Sequence, residues 1–115
     1  MEKLALQSCE ACSIDASPLA VNEYKHLLDE ISSWKVITID DINRLFRVFK
    51  FSDYQSALTF TNNVAALADE VNHHPALLLE WGAVSVTWWS HKIKGLHKND
   101  FIMAAKTNLL AKTFG

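Results

Sequence analysis

The residues of this 115-residue sequence best suited to chemistry are three imidazoles: His73 and His74 in Asn72-His73-His74-Pro75, and His91 in Trp88-Trp89-Ser90-His91-Lys92. An imidazole exchanges a proton near neutral pH, which is what a general acid or base must do. Pro75 cannot continue a helix and restricts the residue before it, so His73 and His74 sit at a stiffened corner. Asp100 follows at a helix start, where an acid can fix a histidine tautomer and can equally face the helix dipole as a first-turn residue. Taken singly, each histidine reads as an exposed or capping residue; their convergence is what points to a site.

Rival chemistries find less support. Imidazole is a common zinc ligand, but adjacent histidines rarely aim both rings at one ion, and no His-Glu-x-x-His spacing or downstream cysteine pair completes a set. No metal is expected. Nucleophilic catalysis lacks a Gly-x-Ser-x-Gly elbow. Cys9 and Cys12 precede any periodic segment and supply half a zinc site, so they read as reduced thiols on a loosely held N-terminal stretch.

Which elements hold the histidines follows from the hydrophobic pattern. Half of the residues are apolar and the formal net charge is −2, with both signs interspersed. That composition suits one compact domain and gives no field for nucleic acid or anionic lipid. Without a leader or an apolar run of membrane-span length, a cytoplasmic protein is expected. Residues 1–16 are aperiodic and read as an extension, leaving 17–115 as the single domain.

Ser17-Pro18 or Asn22 offers a helix start, and Ala20, Tyr24, Leu27, Leu28 and Ile31 share one face. Trp34–Ile39 and Leu45–Phe51 read as two strands around an Asp40-Asp41 turn. Phe46 and Val48 oppose Leu45, Phe49 and Phe51, which suggests a bulge or burial on both faces. A long helix, capped by Ser52 or Asp53, carries two apolar stripes, wide enough to meet a second subunit. Ala76–Trp81 and Val84–Trp88 form a second hairpin around Gly82, and a last helix begins at Asn99 or Asp100. The expected fold is α+β: a four-stranded antiparallel sheet with three helices on one face, in the order α-β-β-α-β-β-α. In an antiparallel hairpin the start of one arm adjoins the end of the other, so the Pro75 corner and His91 should be neighbours.

The spaced set Asp69 or Glu70, His73-His74-Pro75, Trp81, His91 and Asp100 resembles the signature of the pterin-4a-carbinolamine dehydratases. The likeness runs from about Trp34 to Leu110, and the stretches Ala-Leu-Thr-Phe-Thr-Asn-Asn-Val and Glu-Trp-Gly-Ala-Val-Ser-Val-Thr-Trp-Trp-Ser-His look most like the bacterial branch. The resemblance implies dehydration of 4a-hydroxytetrahydropterin to quinonoid dihydropterin, without cofactor or metal, in the recycling of the pterin of phenylalanine hydroxylase; the wide apolar surface of the long helix leads us to expect a homodimer or homotetramer. The resemblance further implies that His73 and His91 protonate the leaving hydroxyl and that His74 binds substrate and assists proton removal from the ring nitrogen. Asn72 to His74, Pro75 and Trp89 to Lys92 (Trp89, Ser90, His91, Lys92) would hold the pterin edges, Trp34 would lie against the ring or its side chain, and Asp100 would support the histidines. Asn72 stands where animal members carry aspartate, and Trp89 replaces a smaller residue. Animal members also stabilise a transcription factor dimer, so a protein-binding module, or an enzyme of another pterin-dependent pathway, stands as the alternative.

Overall fold

The computed structural model describes residues 4–6 and 19–114. Cys9, Cys12 and Ser17-Pro18 lie outside the described residues. Three helices, α1 (Val21–Glu30), α2 (Tyr54–Val71) and α3 (Lys98–Lys112), alternate with two hairpins, β1 (Lys35–Ile39) with β2 (Ile42–Lys50) and β3 (Ala76–Glu80) with β4 (Ala83–Trp88). The strands form one antiparallel sheet in the order β1-β2-β4-β3. The expected fold and element order are those observed.

Local chemistry sets the element ends. Asp40 and Asp41 both take left-handed conformations, φ 54° and 63°, which lets the β1–β2 hairpin close in two residues. Asp53 caps α2 by accepting the Ser56 N–H at 2.7 Å. Asn72 ends the same helix in the left-handed region (φ 55°, ψ 41°), a conformation asparagine tolerates better than most residues. At Gly82 an added Cβ would lie 3.0 Å from the Phe51 carbonyl oxygen, so the β3–β4 turn passes too close to β2 for a side chain.

The core lies between the sheet and the helices. Val84, Val86 and Trp88 of β4, Leu45 and Phe49 of β2, Phe60 and Val64 of α2, and Phe101, Ile102 and Met103 of α3 are all buried there. The β2–β4 register runs unbroken from Leu45↔Trp88 to Lys50↔Ala83, so the bulge anticipated in β2 is absent. Phe46 and Val48, whose apolar side chains suggest that reading, lie on the other face of a regular strand, half-buried and exposed. Arg47 occupies an inward position, where its guanidinium lies 4.3 Å from the Phe49 ring centroid and donates to Asn108 Oδ1 at 2.7 Å. Partial burial pulls its pKa below the usual arginine value.

The stretch read as an N-terminal extension contributes to this core. A short 3-10 turn, Leu4–Leu6, places Leu4 at 0% exposure, with its N–H bonded to Glu30 Oε1 at 2.8 Å and the Ala5 carbonyl bonded to Lys106 Nζ at 3.0 Å. Leu4→Ala should therefore lower unfolding free energy by about 2–5 kcal/mol in urea titrations. Leu6→Ala, at a 68% exposed position, should change it by less than about 0.5 kcal/mol.

Hydrogen bonds from Ser56 hold the Asp53 carboxyl below the ordinary carboxylate range. A depressed folded-state pKa contributes stability that is present above the unfolded value and is lost as pH falls through the folded one. Asp53→Ala should lower the urea midpoint at neutral pH, and that difference should shrink steadily on acidification below about pH 4.

Candidate active site

The site begins where α2 stops. With Asn72 in the left-handed region, the His73 N–H folds back to the Ala68 carbonyl at 3.1 Å, and the chain leaves the helix with successive side chains diverging. His73 turns inward, with 11% of its side chain exposed, whereas His74 is 53% exposed. The His73 imidazole lies parallel to Trp88, with centroids 5.7 Å apart and planes 2° apart. Trp88 is itself fixed: its indole N–H donates to Thr107 Oγ1 at 3.1 Å, and that hydroxyl donates to the Met103 carbonyl at 2.6 Å.

Asp100 gathers the segments. Fully buried in the first turn of α3, its Oδ1 lies 2.7 Å from His73 Nε2, while Oδ2 accepts from Ser90 Oγ at 2.8 Å and from the His97 N–H at 2.9 Å. His97 is the N-cap of α3, and its Nδ1 accepts the Asn99 N–H at 3.1 Å, so the helix starts one residue before the expected range. Asp100 serves as helix-start acid and as histidine partner at once.

His91 opens a loop whose base is pinned by paired backbone bonds between Ser90 and Gly95, at 2.9 and 3.4 Å. Its Nε2 lies 3.2 Å from the His74 carbonyl oxygen, so the Pro75 corner and the end of β4 do meet. That oxygen has no proton to give, hence Nε2 is the donor and Nδ1 is left as the acceptor in the neutral ring. The carboxylate partner of His73 imposes the same tautomer there. His74 Nε2 faces Asp69 Oδ1 at 3.3 Å in an exposed pair, the kind that contributes little to stability.

Not every expected ligand contact lies here. Trp34 is 2% exposed, meets Phe49 edge-on at 5.8 Å and donates its indole N–H to Asn108 Oδ1 at 2.8 Å. Asn108 is two turns beyond Asp100 along α3, roughly 12 Å away. A ring so buried and so placed offers no face to a ligand beside the histidines. Ser90 is also fully buried, with its hydroxyl given to Asp100 and both backbone groups given to Gly95, so it positions other groups. Trp81 sits at the closed end of the second hairpin, roughly 20 Å along the strand from Pro75. Asn72, His74, His91 and Lys92 are exposed around the corner, and Pro75 and Trp89 are half-buried. Two supporting residues were not anticipated at the site: Trp88, legible only as a core residue, and Arg44, whose guanidinium carbon lies 4.1 Å from the Trp89 ring centroid.

A separate cleft of about 810 Å³ lies between β2 and the end of α3, lined by Arg47, Lys50, Phe51, Asn108, Lys112 and Phe114 among others. It contains neither histidine nor carboxylate and so no acid–base pair.

Residues 17–110 match the family model described as "Pterin 4 alpha carbinolamine dehydratase". The chain belongs to that family. A protein of Nitrosococcus oceani named "Putative pterin-4-alpha-carbinolamine dehydratase" is 54% identical over 112 residues, covering 97% of this chain and 99% of that protein. One of the same name from Saccharophagus degradans is 53% identical over 110 residues, covering 96% and 97%. Among solved structures, a transcriptional coactivator/pterin dehydratase from Brucella melitensis superposes with a TM-score of 0.74 at 29% identity, covering 83% of this chain and 99% of that one. A pterin dehydratase-like protein identified as a RuBisCO assembly factor in the alpha-carboxysome gives 0.59 at 25% identity, covering 69% and 89%.

In this pterin-4a-carbinolamine dehydratase family member, removing the Asp100 carboxylate would strand three donors in the interior. Asp100→Ala should cost about 3–5 kcal/mol of unfolding free energy, whereas Ser90→Ala, which deletes one neutral donor, should cost about 1–2 kcal/mol in the same denaturation experiment.

Proposed function

We propose that the protein dehydrates 4a-hydroxytetrahydropterins to quinonoid dihydropterin and water by histidine acid–base catalysis. The observation that carries this reading is the pair of imidazoles, His73 and His91, each anchored through Nε2 and each keeping Nδ1 for a substrate. Loss of water requires a proton on the departing hydroxyl as the bond from carbon 4a to oxygen breaks. It also requires a proton to leave the adjacent ring nitrogen as the new carbon–nitrogen double bond forms. One proton is delivered and one is collected, so the protein's net proton count is unchanged, and the next turnover needs only that the proton pass from His74 back to the acid through solvent.

In this reading His73 and His91, as imidazolium ions, give the Nδ1 proton to the hydroxyl, and neutral His74 assists at the ring nitrogen. Asn72, Pro75, Trp89 and Lys92 border the pterin. Trp34 is left out of the binding set, and Ser90 acts only through Asp100. Domain 17–115 is the catalytic unit, with the Leu4 turn packed onto it. The product would feed pterin recycling after an aromatic amino acid hydroxylase such as phenylalanine hydroxylase. The exposed apolar side chains Tyr54 of α2 and Leu78 of β3 favour assembly into a homodimer or homotetramer.

The names of the two structural neighbours favour one alternative, a protein-binding role that does not use the histidines. Mutagenesis separates the two. With synthetic carbinolamine and metal-stripped protein, His73→Ala and His91→Ala are each expected to lower kcat by about 10²- to 10⁴-fold. If both variants turn over as fast as the parent, the acid–base reading is wrong and the binding role gains.

A further inference from the structure

The sheet has a second face, turned away from the helices, and it delivers to the site a side chain that no motif names. Because Leu45 pairs with Trp88, Arg44 of β2 stands across from Trp89 just beyond β4. The Arg44 guanidinium carbon lies 4.1 Å from the Trp89 ring centroid, and that indole stacks on His91 with centroids 4.4 Å apart and planes 24° apart. The three groups are therefore in serial contact: cation, indole, imidazole.

Arg44 is not at the indole by default. Nη2 donates to the Ile39 carbonyl at 3.2 Å, but Nε is buried without a hydrogen-bond partner among the described residues. Burying an N–H unpaired is unfavourable, and the contact with the Trp89 ring is a favourable interaction of the same guanidinium. A planar guanidinium is attracted to the π-face of indole, more strongly where water is partly excluded, and the contact restrains the ring from turning.

The restraint passes to His91. This histidine is exposed and opens a loop, and its side chain is anchored among the described residues by the 3.2 Å contact from Nε2 to the His74 carbonyl. A single bond of that kind fixes one ring atom and leaves the plane free to swing. The Trp89 face supplies the second constraint, so that only one ring orientation satisfies both, with Nε2 on the carbonyl and Nδ1 available for proton exchange.

We infer that Arg44 is a positioning residue for His91, acting through Trp89. The inference rests on the acid–base role proposed above for His91, but its structural half is measurable without substrate. In Arg44→Leu, the ring-nitrogen NMR resonances of His91 should move from those of a single Nε2–H tautomer toward averaged values. Its kcat for carbinolamine dehydration should fall about three- to tenfold while KM stays within about twofold, as expected for a lost orientation rather than lost binding. Arg44→Lys, which keeps the charge but not the planar contact, should fall between Leu and parent on both measurements. It also carries the test by the same criteria if Arg44→Leu gives no cooperative thermal transition.

Unchanged His91 resonances overturn the inference, whether or not kcat falls. So does an unchanged kcat in a variant whose resonances have averaged. Should the parent protein itself fail to dehydrate the carbinolamine, the functional reading falls, and the His91 resonances alone then decide whether Arg44 positions the ring.

Discussion

One buried carboxylate holds the site together. Asp100 accepts from the end of α2 through His73, from beyond the end of β4 through Ser90, and from the start of α3 through the His97 backbone. These segments are far apart in sequence, and each is an element end, where backbone groups lack regular partners. A carboxylate with no solvent exposure must have its lone pairs satisfied, and each of its donors is in turn buried or half-buried. None of the three segments can withdraw without stranding a polar group. The stability of the corner and the geometry of the site are thus one constraint.

That constraint also sets the proton inventory. All three site histidines meet the protein through Nε2: His73 at a carboxylate, His74 at a carboxylate, His91 at a carbonyl. These acceptors lack a proton to return, so the same tautomer recurs and Nδ1 is the ring nitrogen turned away from them. Their settings nonetheless differ. His73 is enclosed between Trp88 and Asp100, His74 lies in solvent beside an exposed aspartate, and His91 rests on an indole. Identical side chains are thereby given unequal freedom and unequal access to solvent.

Much of this was legible in the residues. Periodicity located the helices and strands, Pro75 located the corner, and antiparallel pairing alone put His91 beside it. What escaped did so for physical reasons. Leu4 is one apolar residue in an aperiodic stretch, and no pattern distinguishes it from the exposed Leu6. Phe46 and Val48 disguised a regular strand as a bulged one, because apolar side chains on the outward face break the alternation by which a strand is read. Trp34 could be ligand platform or core, and the choice is made by Asn108, whose side chain is supplied by a distant turn of α3. Ser90 falls among the expected ligand contacts because position alone does not reveal which way a hydroxyl points.

Arg44 escaped for a different reason, and it shows how the site uses both faces of the sheet. Beyond Trp88 the strand-like alternation continues: Trp88 points into the core and stacks on His73, Trp89 points to the open face and stacks on His91, and Ser90 points inward to Asp100. The period of two divides one short run of residues between two imidazoles, with the indole against His73 facing the core and the indole against His91 facing the other way. Register across β2 then decides which residue meets the outward indole, and that residue is Arg44 only because Leu45 is paired with Trp88. A slip of one position would exchange the faces, bringing the core side of β2 against Trp89 and turning Trp88 away from His73. The pairing of the two central strands therefore decides which side chain stands against each indole, and through the indoles what each histidine rests on.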